Sequence, residues 1–488
     1  MGSRKLPSDR MSTLRERDLS MATVRVFNHH VHSSFYWLAL VDMVLFILAF
    51  YAGTYLYFLY EPGSFQSHLQ QIPARATLFA AVAVMSLFAM GLYEPRMREG
   101  ASGVILRTIG GFVAATMVMS VIFYALPELH LWRGIYFYTV LLAFAGSLVS
   151  RSVFQSVANL DQFKSRILVY GAGRAASTIT SAMRRQADRQ GFTIVGFVRT
   201  GGEDSAIEGE RVINLRGSLA EYTRQTEIDQ LVVALDDKRD LLEMDELLAC
   251  RMKGVKVVDL ATFFEQEAGK ILVDFTPPGW MAFNDGFKCS AASKAAKRWF
   301  DIGASLLLLM FSWPIMLLTT LAIWLEDGFG APIFFHQERV GLHGRRFKVA
   351  KFRSMSVDAE GDGKARWATR NDSRVTRVGA FIRKTRIDEL PQILNVLAGD
   401  MAFVGPRPER PEFVKELAER IPYYNVRHCV KPGITGWAQL CYPYGASEND
   451  ARQKLQFDLY YVKNQSLFLD FTIFLNTVEV VLFGKGAR

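Results

Sequence analysis

Four apolar runs follow one another in the first third of the chain, approximately Phe35 to Tyr60, Ala74 to Tyr93, Thr108 to Leu126 and Ile135 to Phe154. Each is close to the ~20 residues an α-helix needs to cross the hydrocarbon core of a bilayer, where every backbone polar group must bond within its own segment. The pattern predicts a transmembrane four-helix bundle over residues 35–155. Flanking charge orients it. Arg4, Lys5, Arg10, Arg15, Arg17 and Arg25 precede the first run, Arg96, Arg98 and Arg107 separate the second from the third, and Lys164 and Arg166 follow the fourth. The other two loops carry only Arg75 and Arg133. By the positive-inside rule, both ends of the bundle face the cytoplasm, with residues 1–34 as a basic cytoplasmic tail. That tail is polar and the first run is too long for the apolar region of a signal peptide, so it is expected to be retained.

The rest of the chain is not lipid-buried. Of 488 residues 50% are hydrophobic, but 22% are charged, which calls for aqueous domains beside the bundle. The net charge of +9 suits an anionic partner; its spread over membrane flanks and phosphate-type motifs argues against nucleic acid. Cys250, Cys289, Cys429 and Cys441 lack the spacing of a zinc site and read as reduced thiols.

From Arg166 the texture becomes α/β. Ile167 to Tyr170, Ile194 to Val198, Leu231 to Leu235 and Val255 to Leu260 read as buried strands between helical segments, a Rossmann-like doubly wound domain over residues 163–275. The first strand leads into Gly171-Ala172-Gly173-Arg174-Ala175-Ala176, the setting in which a glycine turn places amides against a phosphate. The next strand, however, ends at Val198-Arg199 rather than on an acid for a ribose hydroxyl, which leaves two readings: a structural domain or one holding some nucleotide.

Pro277, Pro278 and Gly279 mark a boundary, with residues 276–293 as a linker. A fifth apolar run, Trp299 to Leu325, is long enough to span but carries Ser312 and Pro314 near its middle. It would either cross the membrane or turn back at the proline as a re-entrant hairpin.

Between Arg339 and Trp437 basic residues and glycines surround one acidic pair, Asp388-Glu389. An apolar pattern of Leu390, Ile393, Leu394 and Leu397 ending at Gly399 predicts a helix beginning near Asp388, with Pro391 in its first turn. Two readings of the pair compete. It is a helix cap and a first-turn acid, or it belongs to a phosphate site with Arg383, Arg407, Lys351 and Arg353, where a diphosphate and Mg²⁺ would explain carboxylates and cations together.

Residues 294–488 resemble the catalytic domain of the polyprenyl-phosphate sugar-phosphate transferases of bacterial polysaccharide assembly. The resemblance rests on Lys297-Arg298 through Asp301, the Pro314 break, Gln337 to Gly341, Lys351 to Met355, Ile387 to Gln392, Gly405 to Pro408 and Lys431 to Trp437. The bundle and the middle domain also resemble the long members of that family. The resemblance implies an α-rich catalytic domain with a re-entrant helix over about 299–325, bent at Ser312 and Pro314. It further implies a multi-pass protein of the bacterial inner membrane with cytoplasmic termini, whose partners are a UDP-sugar, undecaprenyl phosphate, membrane lipid and a second copy of the chain. Nucleotide sugars are cytosolic, which agrees with the hairpin.

On the family mechanism Asp388 attacks the sugar-bearing phosphorus, UMP leaves, and the polyprenyl phosphate then takes the phosphosugar. Mg²⁺, with Asp388 as a ligand, would neutralise charge together with Arg383 and Arg407; Glu389 is a metal ligand or a proton-handling group. Arg339, Lys351 and Arg353 are expected as substrate contacts or structural ion pairs. The expected sugar is glucose or galactose. Leu467 to Leu482 reads as an interfacial helix or an ordinary buried one. The competing functions are a membrane-anchored nucleotide-sugar dehydratase or epimerase, which needs a second glycine fingerprint and a Tyr-x-x-x-Lys pair, and an inactive assembly scaffold.

Overall fold

The computed structural model describes residues 23–26, 29–60, 72–93, 101–129, 131–158, 164–183, 191–200, 206–207, 212–215, 217–236, 244–283, 286–287, 290–356, 374–442, 445 and 447–483. Most of the basic tail, Arg96, Arg98 and Cys289 lie outside them. The chain divides near residue 268 into two compact units.

The first unit opens with two short strands, β1 (Thr23–Val26) and β2 (His29–His32), followed by four long helices. These are α1 (Ser33–Tyr60), α2 (Ile72–Ala89), α3 (Ala101–Ala125) and α4 (Arg133–Ala158). Helix α3 starts seven residues before the predicted apolar run. Arg107 explains the extension: its buried guanidinium donates to the Met90 carbonyl at 3.3 Å, so a charge that breaks the hydropathy pattern does not break the helix. Only 28% to 44% of each apolar window is buried by protein. Trp37, Leu48, Tyr55, Met117, Val121, Phe137 and Val153 instead face outward, as residues covered by lipid tails do. This is a membrane protein. One buried ion pair fastens the bundle, Arg151 Nη1 to Asp42 Oδ2 at 2.9 Å, and Tyr93 and Ser150 hydroxyls each donate to Asp42 at 2.6 Å.

The α/β part follows: β3 (Ser165–Tyr170), α5 (Arg174–Ala182), β4 (Phe192–Val198), β5 (Val212–Ile213), α6 (Leu219–Gln225), β6 (Gln230–Val233), α7 (Met244–Met252), β7 (Lys256–Asp259) and α8 (Leu260–Ala268). Its five strands pair in parallel in the order β5-β4-β3-β6-β7, so β3, the strand that feeds the glycine turn, sits where the winding direction reverses. Parallel strands buried on both faces read as near-continuous apolar runs, which is why this sheet was legible.

The second unit holds α9 (Pro278–Phe283), α10 (Ala291–Asp327), β8 (Phe334–Val340), β9 (Arg346–Phe352), α11 (Arg377–Lys384), α12 (Gln392–Ala398), β10 (Ala402–Val404), α13 (Pro411–Arg420), β11 (Gly433–Thr435), α14 (Trp437–Cys441), α15 (Glu448–Lys463) and α16 (Leu467–Phe483). It is α-rich, with one antiparallel pair, β8-β9, and one parallel pair, β10-β11. No second doubly wound sheet occurs among its described residues, so nothing there supports the dehydratase alternative.

One expectation needs correction here. The stretch read as a linker contains α9, whose Trp280 is buried with the Lys463 ammonium 4.0 Å from its ring centroid. Helix α10 begins at Ala291, where Ser290 Oγ accepts from Ser293 N at 3.1 Å, and its backbone is helical across Pro314 without interruption. The proline removes one ladder bond and sets its ring against the preceding turn, so Pro314 is where such a helix bends while its φ and ψ stay helical.

Both ends of α10 rest on the same unit. At its start Lys297 Nζ reaches Val404 O at 3.1 Å and Asp470 Oδ2 at 2.9 Å, Arg298 donates to Val396 O and Leu397 O at 2.6 and 2.7 Å, and Asp301 accepts from Phe403 N at 2.9 Å. At its end Asp327 pairs with Arg353 at 2.8 Å, Glu326 accepts from the Arg377 and Val378 amides at 2.8 and 3.0 Å, and Ile323 joins a cluster with Phe352 and Ile382. Between these anchors Ser305, Ser312 and Thr319 are buried at seven-residue intervals, which keeps them on one face. Leu306, Met310, Phe311, Trp313, Leu317 and Leu318 are exposed. Helix α16 is an ordinary packed helix over its described side chains: Leu469 and Ile473 are fully buried, and Phe474 stacks edge-on against Phe300 and Phe403.

Candidate active site

The acidic pair does not sit inside a helix. Helix α11 ends at Lys384, Arg386 turns the chain through the left-handed region at φ 62°, and Ile387–Glu389 form one 3-10 turn. Pro391, without an N–H to donate, stands at the cap of α12, and Gly399 closes that helix at φ 96° as its spacing predicted. The regular helix therefore starts at Gln392, four residues later than expected, and the tight turn sends Asp388 and Glu389 to different surroundings.

Glu389 gathers cations. Its Oε1 lies 2.6 Å from Arg407 Nη2, 3.0 Å from Lys351 Nζ and 3.6 Å from Arg386 Nη1, and Oε2 accepts from Arg407 Nη1 at 3.3 Å. Burial by itself would raise its pKa, but Arg407 and Lys351 outweigh burial and hold the carboxyl well below the usual glutamate range. A carboxylate so engaged is a poor proton carrier. Asp388 is different: it is 8% exposed and its buried Oδ1 has no hydrogen-bond partner among the described residues. Burial raises its pKa, and the Lys351 charge pulls against that rise. Two carboxylates and three cations leave the cluster with one surplus positive charge, which favours a diphosphate.

Arg407 reaches the cluster because the chain around Gly405 is packed backbone to backbone. A Cβ on Gly405 would come within 2.4 Å of Lys431 O, and one on Gly433 within 2.1 Å of Gly405 N, so the glycines of both motifs serve one close approach of β10 to β11. From below, Arg427 Nη2 donates to the Arg407 carbonyl at 2.9 Å and pairs with Asp458 at 2.8 Å, while its Nη1 donates to Tyr424 Oη at 2.9 Å. Burial pushes the Asp458 carboxyl up to about 6, against the pull of Arg427, and burial with the Arg427 charge lowers His428 to about 4, so that imidazole is neutral at pH 7.

Of the predicted site residues, Asp388, Glu389, Lys351 and Arg407 come together. Arg339 supports from outside, donating to Pro408 O at 3.2 Å and lying 3.6 Å from Glu409. Arg353 is taken up with Asp327 and the Pro332 carbonyl, both within 2.8 Å, and so is a structural anchor of α10. The Arg383 side chain makes no ion pair with either carboxylate among the described residues. Ser312 and Pro314 belong to α10. Sequence reading missed Arg386, Arg427, Tyr424 and Asp458; two signals were visible, Arg386 at three residues before Glu389 and a lone acid inside Phe457-Asp458-Leu459-Tyr460-Tyr461, where an unpaired charge is not kept. No group of three or more His, Cys, Asp or Glu able to hold a metal occurs among the described residues.

Comparison with known proteins bears on the same segment. Residues 292–484 match the family described as bacterial sugar transferase. A UDP-galactose-lipid carrier transferase of Erwinia amylovora is 30% identical over 412 residues, which cover 78% of this chain and 81% of that protein. The chain belongs to the bacterial sugar transferase family. Among other members of the family, a UDP-N-acetylgalactosamine-undecaprenyl-phosphate N-acetylgalactosaminephosphotransferase of Aeromonas hydrophila is 41% identical over 261 residues. That match covers 53% of this chain but 60% of the relative's length. A UDP-glucose:undecaprenyl-phosphate glucose-1-phosphate transferase of Xanthomonas campestris pv. campestris is 33% identical over 337 residues, 66% of this chain and 67% of that protein. The bacterial sugar transferase segment contains the whole cluster built around Asp388 and Glu389. A second family, described as a CoA-binding domain, matches residues 88–246 in the first unit.

Proposed function

We propose that this protein transfers a hexose 1-phosphate from a UDP-sugar to undecaprenyl phosphate, the step that initiates extracellular polysaccharide assembly. The observation that carries this reading is the division of labour in the acidic pair: Glu389 holds Arg407, Lys351 and Arg386, and Asp388 keeps a buried oxygen without a partner. In the first step Asp388 attacks the phosphorus bearing the sugar, the bond from that phosphorus to the bridging oxygen breaks, and UMP leaves with the electron pair. An aspartyl phosphosugar remains. In the second, an oxygen of undecaprenyl phosphate attacks the same phosphorus and Asp388 is released, leaving undecaprenyl diphosphate sugar. Phosphoryl transfer needs positioning and charge neutralisation above all, which Arg407, Lys351 and Arg386 supply. Mg²⁺ fits as well: one carboxylate, Asp388, with substrate phosphates is a ligand set it accepts, and when bound it would offset the charge of the diphosphate. The dependence of Glu389 on three cations argues for an organising role rather than a metal or proton role.

We further infer that α10 enters and leaves the membrane on one face, with the catalytic unit and both termini cytoplasmic and the first four helices spanning the inner membrane. The anchoring of both ends of α10 to one unit supports this reading, since a spanning helix would part its ends by the width of a bilayer.

Purified protein incubated with undecaprenyl phosphate, Mg²⁺ and a panel of UDP-glucose, UDP-galactose and their N-acetyl forms should release UMP with one or two donors. Failure with every donor sinks the transferase reading. Asp388→Asn keeps the shape and removes the nucleophile, and kcat is expected to fall by at least about 10³-fold. Near-normal turnover would exclude covalent catalysis by Asp388.

A further inference from the structure

We propose that Asp236 occupies the place of a pyrophosphate, so that the parallel α/β domain takes neither CoA nor a dinucleotide at its glycine turn. A turn of this type binds phosphate because the first amides of the helix point outward, unsatisfied, at the positive end of the helix dipole. In this domain those amides are already engaged. Arg174 N donates to Asp236 Oδ2 at 2.9 Å and Ala175 N to Oδ1 at 2.6 Å, a two-point contact of the kind a phosphate would make. The carboxylate is held there by the sheet itself. Ala234 N donates to Tyr170 O at 2.8 Å, which continues the β3-β6 register past the last paired residues and delivers Asp236 two positions later.

The glycines have the same explanation. A Cβ on Gly173 would lie 2.4 Å from Asp236 Oδ2, and one on Gly171, whose φ is 123°, would lie 2.3 Å from Ala234 O. In a dinucleotide site such glycines make room for the ligand's pyrophosphate or for a tight turn. Here the room is filled by β6 and the residues after it. The remaining requirement, an acid after β4 for the ribose, is replaced by Arg199. A CoA or dinucleotide would have to expel Asp236 and bring its own negative charge beside it, so the residues present do not fit the group that the second family match implies. The glycine fingerprint is retained as an internal strut that ties the start of α5 to the end of β6.

Hydrogen exchange of the full-length protein in nanodiscs, followed by mass spectrometry over residues 171–182, tests this independently of transferase activity. In the wild-type protein those amides should be protected, and millimolar CoA, NAD or ADP should leave their exchange unchanged. Asp236→Ala should speed exchange there about tenfold and should let inorganic pyrophosphate restore protection, because the freed amides again seek an anion. Asp236→Asn, which keeps the volume and one accepting oxygen but turns an N–H toward the other amide, should show part of that loss and serves if the alanine variant does not fold. Saturable protection of residues 171–182 by CoA or a nucleotide in the wild-type protein overturns the proposal. So does unchanged exchange in both variants.

Discussion

At the scale of single residues, the acidic pair shows how far adjacency misleads. Asp388 and Glu389 were legible as candidates because arginines and a lysine crowd their neighbourhood in sequence. Their unequal roles were not, because Lys351 and Arg407 converge on Glu389 from segments 38 and 18 residues away, and only Arg386, three residues before it, stands at a spacing that pairs side chains. Replacing Glu389 by Gln would leave those cations facing one another in a partly buried site, and an ion pair broken from one side is worth about 3 kcal/mol. Denaturant melts should show that loss near neutral pH. Because the carboxyl's folded pKa is depressed, its contribution is present above the ordinary glutamate value and disappears as pH falls through the depressed one. The wild-type and Glu389→Gln stabilities should therefore converge in acid. Asp388 shifts the opposite way and must be ionised to attack, so activity should fall on the acid side at a pH above the ordinary aspartate range. Lys351 opposes that shift; Lys351→Met should move the acid limb of kcat/KM higher still and lower the rate at pH 7 on the order of 10²-fold. An acid limb that stays in place would detach Lys351 from Asp388.

Among the elements, the four apolar runs, the parallel sheet and the closing of α12 at Gly399 followed from period and composition. The departures have local causes. The 3-10 turn at Ile387–Glu389 depends on a left-handed Arg386, and arginine carries no signal for that conformation. The early start of α10 depends on Ser290, one of many serines, and the early start of α3 on a buried Arg107 with a carbonyl to satisfy it. The pairing of Arg427 on one element with Asp458 on α15 joins residues 31 positions apart, and neither sits in a recognisable motif. Arg427 nevertheless carries the backbone of Arg407. Arg427→Lys keeps the charge but not the fork that serves Asp458, Tyr424 and the Arg407 carbonyl at once. We expect the KM for the UDP-sugar to rise about tenfold with a smaller change in kcat, whereas a lower kcat at unchanged KM in steady-state kinetics would make the role only structural.

For the whole molecule, what matters is on which side of the membrane the pieces lie. Composition located the apolar segments and flanking charge gives an expected orientation, but no periodicity separates a helix that crosses from one that returns, because both want lipid around the same side chains. Contacts at both ends of α10 are the observation on which the proposed return rests. A cysteine replacing the exposed Phe329, just beyond that helix, in a chain with its native cysteines changed to serine, should resist an impermeant maleimide in intact cells and react once they are opened. Labelling from outside would place the two ends of α10 on opposite faces. The same two-ended anchorage bears on how substrate is found. A catalytic helix held in one leaflet, as proposed, meets its lipid by lateral diffusion within a surface, so the apparent affinity for that lipid would be a mole fraction of the membrane and not a bulk molarity. Diluting the acceptor with inert phospholipid should slow the reaction even when the total amounts of protein and acceptor are unchanged.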